Sequence, residues 1–262
     1  TKWVSAQELP IITGVSHYDM YVTPVEEWGE TGGKAAMLNF ETGEMSDAYI
    51  LEIPPGGQIK PIHHTFHKAI FVLNGRGATS VWNVGSKEKQ TFEWQRGSLF
   101  CIPLNAWHEH FNGSGTEPAR VLCVTTAPLE MNLHPDHDFI FNNSKVFDAI
   151  YTGQEEFFSS EGIAKPGRIW QSNFVADIRT HEVELYRMRG AGGSNRSFDM
   201  GSCHFSLGVS EFPTGTFKKA HRHGPGAHLI TLDGSGYTLE WNHGKELVEF
   251  PWKDGTCYTA LN

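Results

Sequence analysis

The sequence predicts an all-β protein made of two similar units, and three observations support this. Short apolar or alternating runs recur along the chain, glycine-containing turns separate them, and part of the first half repeats in the second. Runs of this length bounded by turn residues are typical of strands. Regularly spaced strands joined by glycine turns predict a small barrel or a two-sheet jelly roll in each unit.

The predicted strands of each half lie between turn signals such as Pro-Gly-Gly and Asn-Gly-Arg-Gly. In the first half they are Asp47–Ile53, Ile70–Leu73, Thr79–Val84, Gln90–Trp94, Leu99–Ile102 and Val121–Thr126. In the second half they are Phe205–Phe212, Leu229–Leu232, Tyr237–Trp241 and Leu247–Trp252. We expect a short helix within Ser144–Phe158 and a glycine-rich loop at Gly190–Asn195.

The internal repeat is visible as a constant offset between the halves. The segment Asn74–Thr79 resembles Asp233–Thr238, and the same offset of 159 positions aligns His64 with His223. The chain is therefore expected to be a duplication of one unit.

The expected boundaries are an N-terminal unit at 1–135 with its barrel core at about 35–130, a connection at 136–175, and a C-terminal unit at 176–262. The repeat places the counterpart of His108 beyond Asn262. We therefore expect the native chain to be longer than this sequence.

Composition limits the classes of partner. Apolar residues make up 39% and charged residues 19% of the 262 residues, which is typical of a soluble globular chain. The formal charge of −9 repels phosphates and anionic lipid, so we expect a small-molecule substrate and neither nucleic acid nor membrane as partner. The four cysteines are far apart with no CxxC pair, which indicates reduced thiols and a cytoplasmic protein.

Histidine is the residue type that points to chemistry, since the chain has 14. His221, His223 and His228 lie within eight residues, around a Gly-Pro-Gly loop. On a strand, His221 and His223 would project from the same face, and the loop would return the chain to His228. Three converging imidazoles predict a site for a divalent transition metal.

The same residues resemble the paired signature of the cupin superfamily, G-x5-H-x-H-x3–4-E-x6-G followed by G-x5-P-x-G-x2-H-x3-N. In the first unit the second half of this signature is met by Gly97, Pro103, His108 and Asn112, with Asn105 in place of the middle glycine.

The first half of the signature is degenerate in this unit. Ile62 stands where the first histidine is expected, and His64 fits the second. Lys68 or Ala69 stands where the glutamate is expected.

In the second unit, Gly215, His221 and His223 match, and His228 occupies the glutamate position. The resemblance covers nearly the whole chain as two units, so the chain resembles a bicupin with two tandem jelly-roll barrels. In the C-terminal unit it implies a metal site with His221, His223 and His228 as ligands. In the N-terminal unit His64 and His108 are the matched positions, and His67 is a candidate third ligand outside the family pattern. The alternative for the N-terminal unit is a relic site that only stabilises the barrel or binds an apolar ligand.

The resemblance implies iron as the metal, with manganese, zinc or nickel as alternatives. Arg222, His110 and Trp107 are candidate substrate-binding residues near these sites. The leading hypothesis is a metal-dependent dioxygenase that acts on a small carboxylate- or carbonyl-bearing molecule.

Two further hypotheses remain open. One is a non-redox, metal-dependent hydrolase or isomerase that is similar to ureidoglycine aminohydrolase. The other is a non-catalytic ligand-binding or storage bicupin. Family resemblance also implies a homodimer, for which Phe139–Phe141 could supply an apolar interface.

Overall fold

A computed structural model of the chain describes residues 2–29, 31–40, 45–201, 203–224, 226–241 and 246–260. The strands before residue 126 are β1 (Ile11–Ile12), β2 (Ser16–His17), β3 (Glu26–Trp28), β4 (Gly33–Leu38), β5 (Asp47–Ile53), β6 (Gln58–Ile62), β7 (Lys68–Asn74), β8 (Arg76–Trp82), β9 (Gln90–Gln95), β10 (Leu99–Ile102), β11 (Trp107–Asn112) and β12 (Ala119–Thr125). The later strands are β13 (Ile163–Lys165), β14 (Ile169–Gln171), β15 (Phe174–Val175), β16 (Glu184–Leu185), β17 (Ser194–Asp199), β18 (Leu207–Glu211), β19 (His228–Ile230), β20 (Ser235–Glu240), β21 (Val248–Lys253) and β22 (Cys257–Thr259). The α-helices are α1 (Lys2–Ala6), α2 (Ala127–Leu133) and α3 (His137–Phe141), and 3-10 turns lie at Glu155–Phe158 and Arg187–Arg189.

Two facing sheets form the first unit. The larger has the order β1-β4-β5-β12-β7-β10-β15, with β3 paired to β4, and the smaller has the order β6-β11-β8-β9. The turn from β7 to β8 carries the chain from one sheet to the other at Gly75, where φ is +88° and a Cβ would lie 2.8 Å from that of Ala119. Only glycine is accommodated there without strain, because the backbone is left-handed and the space is filled.

The larger sheet is buried on both faces, which explains why its strands are almost continuously apolar. In β5, Tyr49, Leu51 and Ile53 pack in the core that includes Phe100 of the first unit. The alternate residues Ala48 and Ile50 pack in a second core that also contains Phe198, Met200 and Cys257 of the second unit. Successive side chains of a strand point to opposite faces, so both faces must be apolar when both are covered.

The two units exchange strands. β2 from the start of the chain pairs with β22, where His17 lies opposite Cys257. β15 pairs in return with β10 of the first unit, where Val175 lies opposite Leu99. The exchange ties the two units into one hydrogen-bonded structure.

Buried sulfur atoms also lie where the units meet. The Sγ atoms of Cys101 on β10 and Cys203 are 2.9 Å apart, and the Sδ of Met200 lies 3.5 Å from the Sγ of Cys101. All four cysteines of the chain are buried, and none of them forms a disulfide bond.

The second unit forms smaller sheets with the orders β13-β14-β17-β16, with β18 paired to β17, β19-β22-β2, and β20-β21. β13, β14 and β15 fall within the segment expected to be a connection. In the described parts of the chain, no helix has the length and apolar character needed to cross a bilayer.

The all-β prediction is confirmed, and the predicted strands Asp47–Ile53 and Leu99–Ile102 match β5 and β10 residue for residue. The short helix expected within Ser144–Phe158 is a 3-10 turn at its end. The expected glycine-rich loop ends at β17, which begins at Ser194 and forms the centre of a sheet. The sequence of β17 is mostly polar and therefore contains no strand pattern. It forms a strand because it pairs with neighbouring strands on both sides.

Asp47 provides a pH-dependent test of this fold. Its side chain is buried at the start of β5, and Oδ1 has no hydrogen-bond partner. Burial disfavours the charged form and raises the pKa of this carboxyl to about 6, from 3.8. The folded protein therefore holds the proton more tightly than the unfolded chain, and stability falls as pH rises from about 4 to about 6.

We expect Asp47→Asn to remove this loss of stability. The difference in Tm between the variant and wild type should be more positive at pH 7.5 than at pH 4. The change should be about 2–4 °C for each kcal/mol of stability that wild type loses between these pH values. Asp148→Asn, at an exposed position, is the control and should show no such pH-dependent difference. A Tm difference for Asp47→Asn that is the same at both pH values would contradict the assignment.

Candidate functional site

Strand β11 supplies two histidines to the interior of the first barrel. His108 and His110 are two residues apart and lie on the same face, and each is at most 3% exposed. The intervening Glu109 faces the other way and pairs with Lys89 at 2.6 Å. The pairing of β11 with β6 is irregular between His108 and His110. The alternation of the strand therefore places both imidazoles between the sheets and the carboxylate outside.

His64, which follows β6, lies beside His108 with 5.2 Å between ring centroids. Its Nδ1 bonds the carbonyl oxygen of Phe66 at 2.9 Å, and that of His108 bonds the carbonyl oxygen of Ala106 at 3.2 Å. A carbonyl only accepts, so each Nδ1 carries the proton and each Nε2 presents a lone pair. The Nε2 of His64 is buried without a hydrogen-bond partner.

Lys68 opens β7 on the opposite sheet and is 4% exposed. Its Nζ donates to Nε2 of His108 at 2.9 Å. The ring of Tyr49 lies 5.9 Å from Nζ, within reach of a cation–π contact. None of the ion pairs in the described chain includes Lys68. The barrel thus buries a lysine without pairing it to a carboxylate.

His110 completes the cluster through a different hydrogen bond. Its Nδ1 lies 2.8 Å from Oγ1 of Thr79, and the same oxygen accepts from Nε1 of Trp94 at 2.9 Å. When the Thr79 hydroxyl accepts from the indole and donates to His110, the imidazole proton is on Nε2. That Nε2 is buried without a partner. Together, His64, Lys68, His108 and His110 are called the interior cluster below.

Burial and the nearby lysine keep the imidazoles neutral. Burial, then the charge of Lys68, holds the pKa values of His64 and His108 well below their usual range. The same two causes lower the pKa of His110 to about 3. Burial also lowers the pKa of Lys68 itself to about 8. At neutral pH the cluster therefore combines neutral imidazoles with an amine that is largely protonated.

The interior cluster does not fit a metal ion. A metal needs free imidazole lone pairs, whereas the lone pair of His108 is engaged by a lysine N–H. The predicted third ligand, His67, lies elsewhere: its ring contacts that of His204 with 4.9 Å between centroids. The structure brings His64 and His108 together as the sequence predicts, with Lys68 rather than His67 beside them.

In the second unit the predicted ligands divide between two places. His221 and His223 are exposed, and their ring centroids are 4.6 Å apart. His228 begins β19 and is half-buried beside Phe40 at 6.0 Å, with Nδ1 3.5 Å from Oγ of Ser46. No group of three His, Cys, Asp or Glu side chains that could hold a metal occurs within the described ranges. The structure does not bring these three histidines together, and a metal site formed by them stays a prediction.

The prediction that His221 and His223 lie on a strand is wrong. Residues 216–224 form no strand, and Pro225 of the Gly-Pro-Gly loop lies outside the described residues. Two histidines in alternation specify a strand only when apolar neighbours continue the pattern, and here Lys218, Lys219 and Ala220 precede them.

The candidate substrate-binding residues also occupy different environments. Arg222 is exposed. Trp107 lies on the outer face of β11, where its ring contacts His63 at 4.2 Å and stacks on Trp82 at 6.1 Å between centroids. Of the three candidates, only His110 lies in the interior cluster.

From the sequence, Lys68 was named only as a residue at the expected glutamate position, and its burial beside His108 was not predicted. A signal was available, since Lys68 directly precedes the apolar run Ala69–Leu73 that forms a central strand. A charged residue in such a run is rarely buried unless it has a partner, and that partner is His108, 40 positions away.

Comparison with known proteins agrees with this fold. Residues 49–125 match the cupin domain family. Two solved bicupin structures have similar folds. The oxalate decarboxylase of Lactobacillus farciminis in its formate complex is 10% identical, with a TM-score of 0.56, over 95% of this chain and 80% of that chain. An oxalate decarboxylase variant from Bacillus subtilis is 11% identical, with a TM-score of 0.54, over 95% of this chain and 71% of that chain.

The cupin domain of Cnp3 from Schizosaccharomyces pombe covers 47% of this chain and 82% of its own length, at 19% identity and a TM-score of 0.37. A search of curated protein sequences finds no match. The family match covers residues 49–125, and the chain as a whole has a two-barrel fold similar to that of the two oxalate decarboxylases.

The hydrogen bonds of Thr79 provide a stability test of the cluster. We expect Thr79→Val to lower the free energy of unfolding by about 2–4 kcal/mol, because it leaves His110 and Trp94 with unpaired buried nitrogens. Thr79→Ser keeps the hydroxyl and should lose only about 1 kcal/mol, for one buried methyl group. Urea denaturation followed by tryptophan fluorescence measures both values. Equal losses in the two variants would show that the hydroxyl bonds contribute nothing.

Proposed function

We propose that the first barrel binds a small organic carboxylate, and that it does so without a metal ion. The observation that carries this proposal is the buried amine of Lys68, which has a histidine but no carboxylate as its hydrogen-bond partner. A buried cation is destabilising unless an anion compensates its charge. A bound carboxylate would supply that anion.

The unpartnered nitrogens of the cluster support the same ligand class. Buried polar groups are almost always hydrogen-bonded, and those that are not commonly bind water or a ligand. Nε2–H of His110 can donate to a carboxylate oxygen, and Nε2 of His64 can accept from a hydroxyl group. This combination favours a small hydroxy acid, or the enol form of a small keto acid. The ligand must be small, because every side chain of the cluster is less than 9% exposed.

The same arrangement is suited to proton transfer. Lys68, whose pKa burial lowers to about 8, can exchange a proton with the ligand near neutral pH. Lys68 and His110 can also stabilise negative charge that develops on the ligand. The function we infer is therefore carboxylate binding, with acid–base catalysis on that ligand as the activity that the residues can support.

Carboxylate binding can be tested by calorimetric titration of the wild-type protein with acetate, glycolate, lactate and pyruvate at pH 7. We expect Lys68→Met to weaken binding of the best ligand at least about tenfold, since a charge-assisted hydrogen bond contributes about 1.5–3 kcal/mol. Lys89→Met is the matched control, because Lys89 lies on the outer face of the same barrel, paired with Glu109.

No binding by wild type, or equal weakening in both lysine variants, would refute the proposal. Lys68→Gln serves as a second variant if Lys68→Met does not fold.

The second unit supports a second candidate function, metal-dependent chemistry. Nδ1 of His221 bonds the carbonyl oxygen of Lys219 at 2.8 Å, so Nε2 presents its lone pair close to His223. Backbone carbonyls often orient metal-binding histidines in this way. Iron would suit a dioxygenase, and manganese, zinc or nickel a hydrolase or isomerase.

Elemental analysis of untagged protein tests this candidate. If a metal binds in the second unit, wild type should carry about one ion per chain. The His221→Ala/His223→Ala variant should then lose most of that metal. The matched control is His137→Ala, at an exposed histidine in α3. Iron with substrate-dependent oxygen uptake supports the dioxygenase, whereas wild-type protein without any metal leaves only the binding function.

A further inference from the structure

The environment of His108 sets the first barrel apart from a metal-binding one. Nδ1 of His108 and of His64 each donate to a backbone carbonyl, so both rings carry their lone pair on Nε2, where it could bind a metal. Both rings are buried and their centroids are 5.2 Å apart. Two ligands of a metal site are thus already oriented inside this barrel.

Two positions next to His108 decide what these ligands can bind. Lys68 reaches across from the larger sheet and donates into the lone pair of His108. Ile62 lies directly opposite His108 in the pairing of β6 with β11. Lys68 is a hydrogen-bond donor and Ile62 is apolar, so neither of these two neighbours of His108 can act as a metal ligand.

We propose that Lys68 stands in place of a metal ion in the first barrel and is the group that excludes a metal there. A metal held by His64 and His108 would have to displace the lysine N–H from Nε2 of His108. It would also lie close to a positively charged amine in a site of low dielectric constant, where repulsion between cations is strong. The amine thus satisfies the lone pair that a metal would use, and supplies positive charge at the same place.

This inference does not require the carboxylate proposal. A barrel that binds no carboxylate can still exclude metal through Lys68, and the readout below is metal content rather than carboxylate affinity. The failure of either proposal is therefore distinguishable from the failure of the other.

The test uses two substitutions, alone and together, in the His221→Ala/His223→Ala background, which removes the candidate metal site of the second unit. Lys68→Glu replaces the donor by a carboxylate ligand, and Ile62→His adds an imidazole opposite His108. Each protein is loaded with Mn²⁺ or Zn²⁺, desalted, and measured for metal content and for Tm with and without the metal.

We expect the parent and Ile62→His to retain less than about a tenth of an ion per chain, since the lysine is still present in both. The double variant Ile62→His/Lys68→Glu should retain about one ion per chain, and the metal should raise its Tm. Lys68→Glu alone should bind with intermediate affinity, because it has one ligand fewer.

Ile62→His is the decisive control. If it binds metal as well as the double variant does, or if the parent carries metal in the first barrel, Lys68 is not the excluding group. A double variant that folds but binds no metal also overturns the inference. Lys68→Gln combined with Ile62→His covers the case in which the buried carboxylate prevents folding, because it removes the positive charge without adding a negative one. We expect that protein to retain more metal than Ile62→His alone.

Discussion

The hydrogen bond between Lys68 and His108 spans the interior of the first barrel and joins its two sheets. Lys68 belongs to β7 of the larger sheet and His108 to β11 of the smaller one, and their nitrogens are 2.9 Å apart. The bond requires His108 to be neutral and to carry its proton on Nδ1, which the carbonyl of Ala106 ensures. The polarity of the barrel interior, and hence the class of ligand that suits it, depends on this one contact.

The second unit makes such a buried cluster possible by covering the larger sheet from outside. Phe198 and Met200 pack against the face of that sheet that points away from the cluster, and the exchange of β2 and β15 fixes the two units together. With both faces covered, water is kept from the sheet that carries Lys68. In such surroundings a hydrogen bond is stronger and an unpaired polar group more costly than at the surface. The two-unit architecture is therefore part of the site.

Sequence patterns predicted the fold best where a strand is apolar on both faces. β5 and β10 were predicted to the residue because uninterrupted apolar runs bounded by turns have few alternatives. β17 was missed because its polar residues become a strand only through pairing on both sides. The histidine segment at 221–223 failed for the opposite reason. Its alternation suggested a strand, but no apolar neighbours extend the pattern, and the segment lies exposed.

By itself, the sequence determined an all-β chain of two related units and placed histidines at His64 and His108 inside the first, because turn residues, apolar periodicity and repeat spacing are local properties. What those histidines face is set by the packing of the two sheets. Whether a lone pair is free or bonded depends on residues far away in the chain, such as Lys68, which is 40 positions before His108. No local pattern records such a contact, because it forms only when the two sheets close on each other.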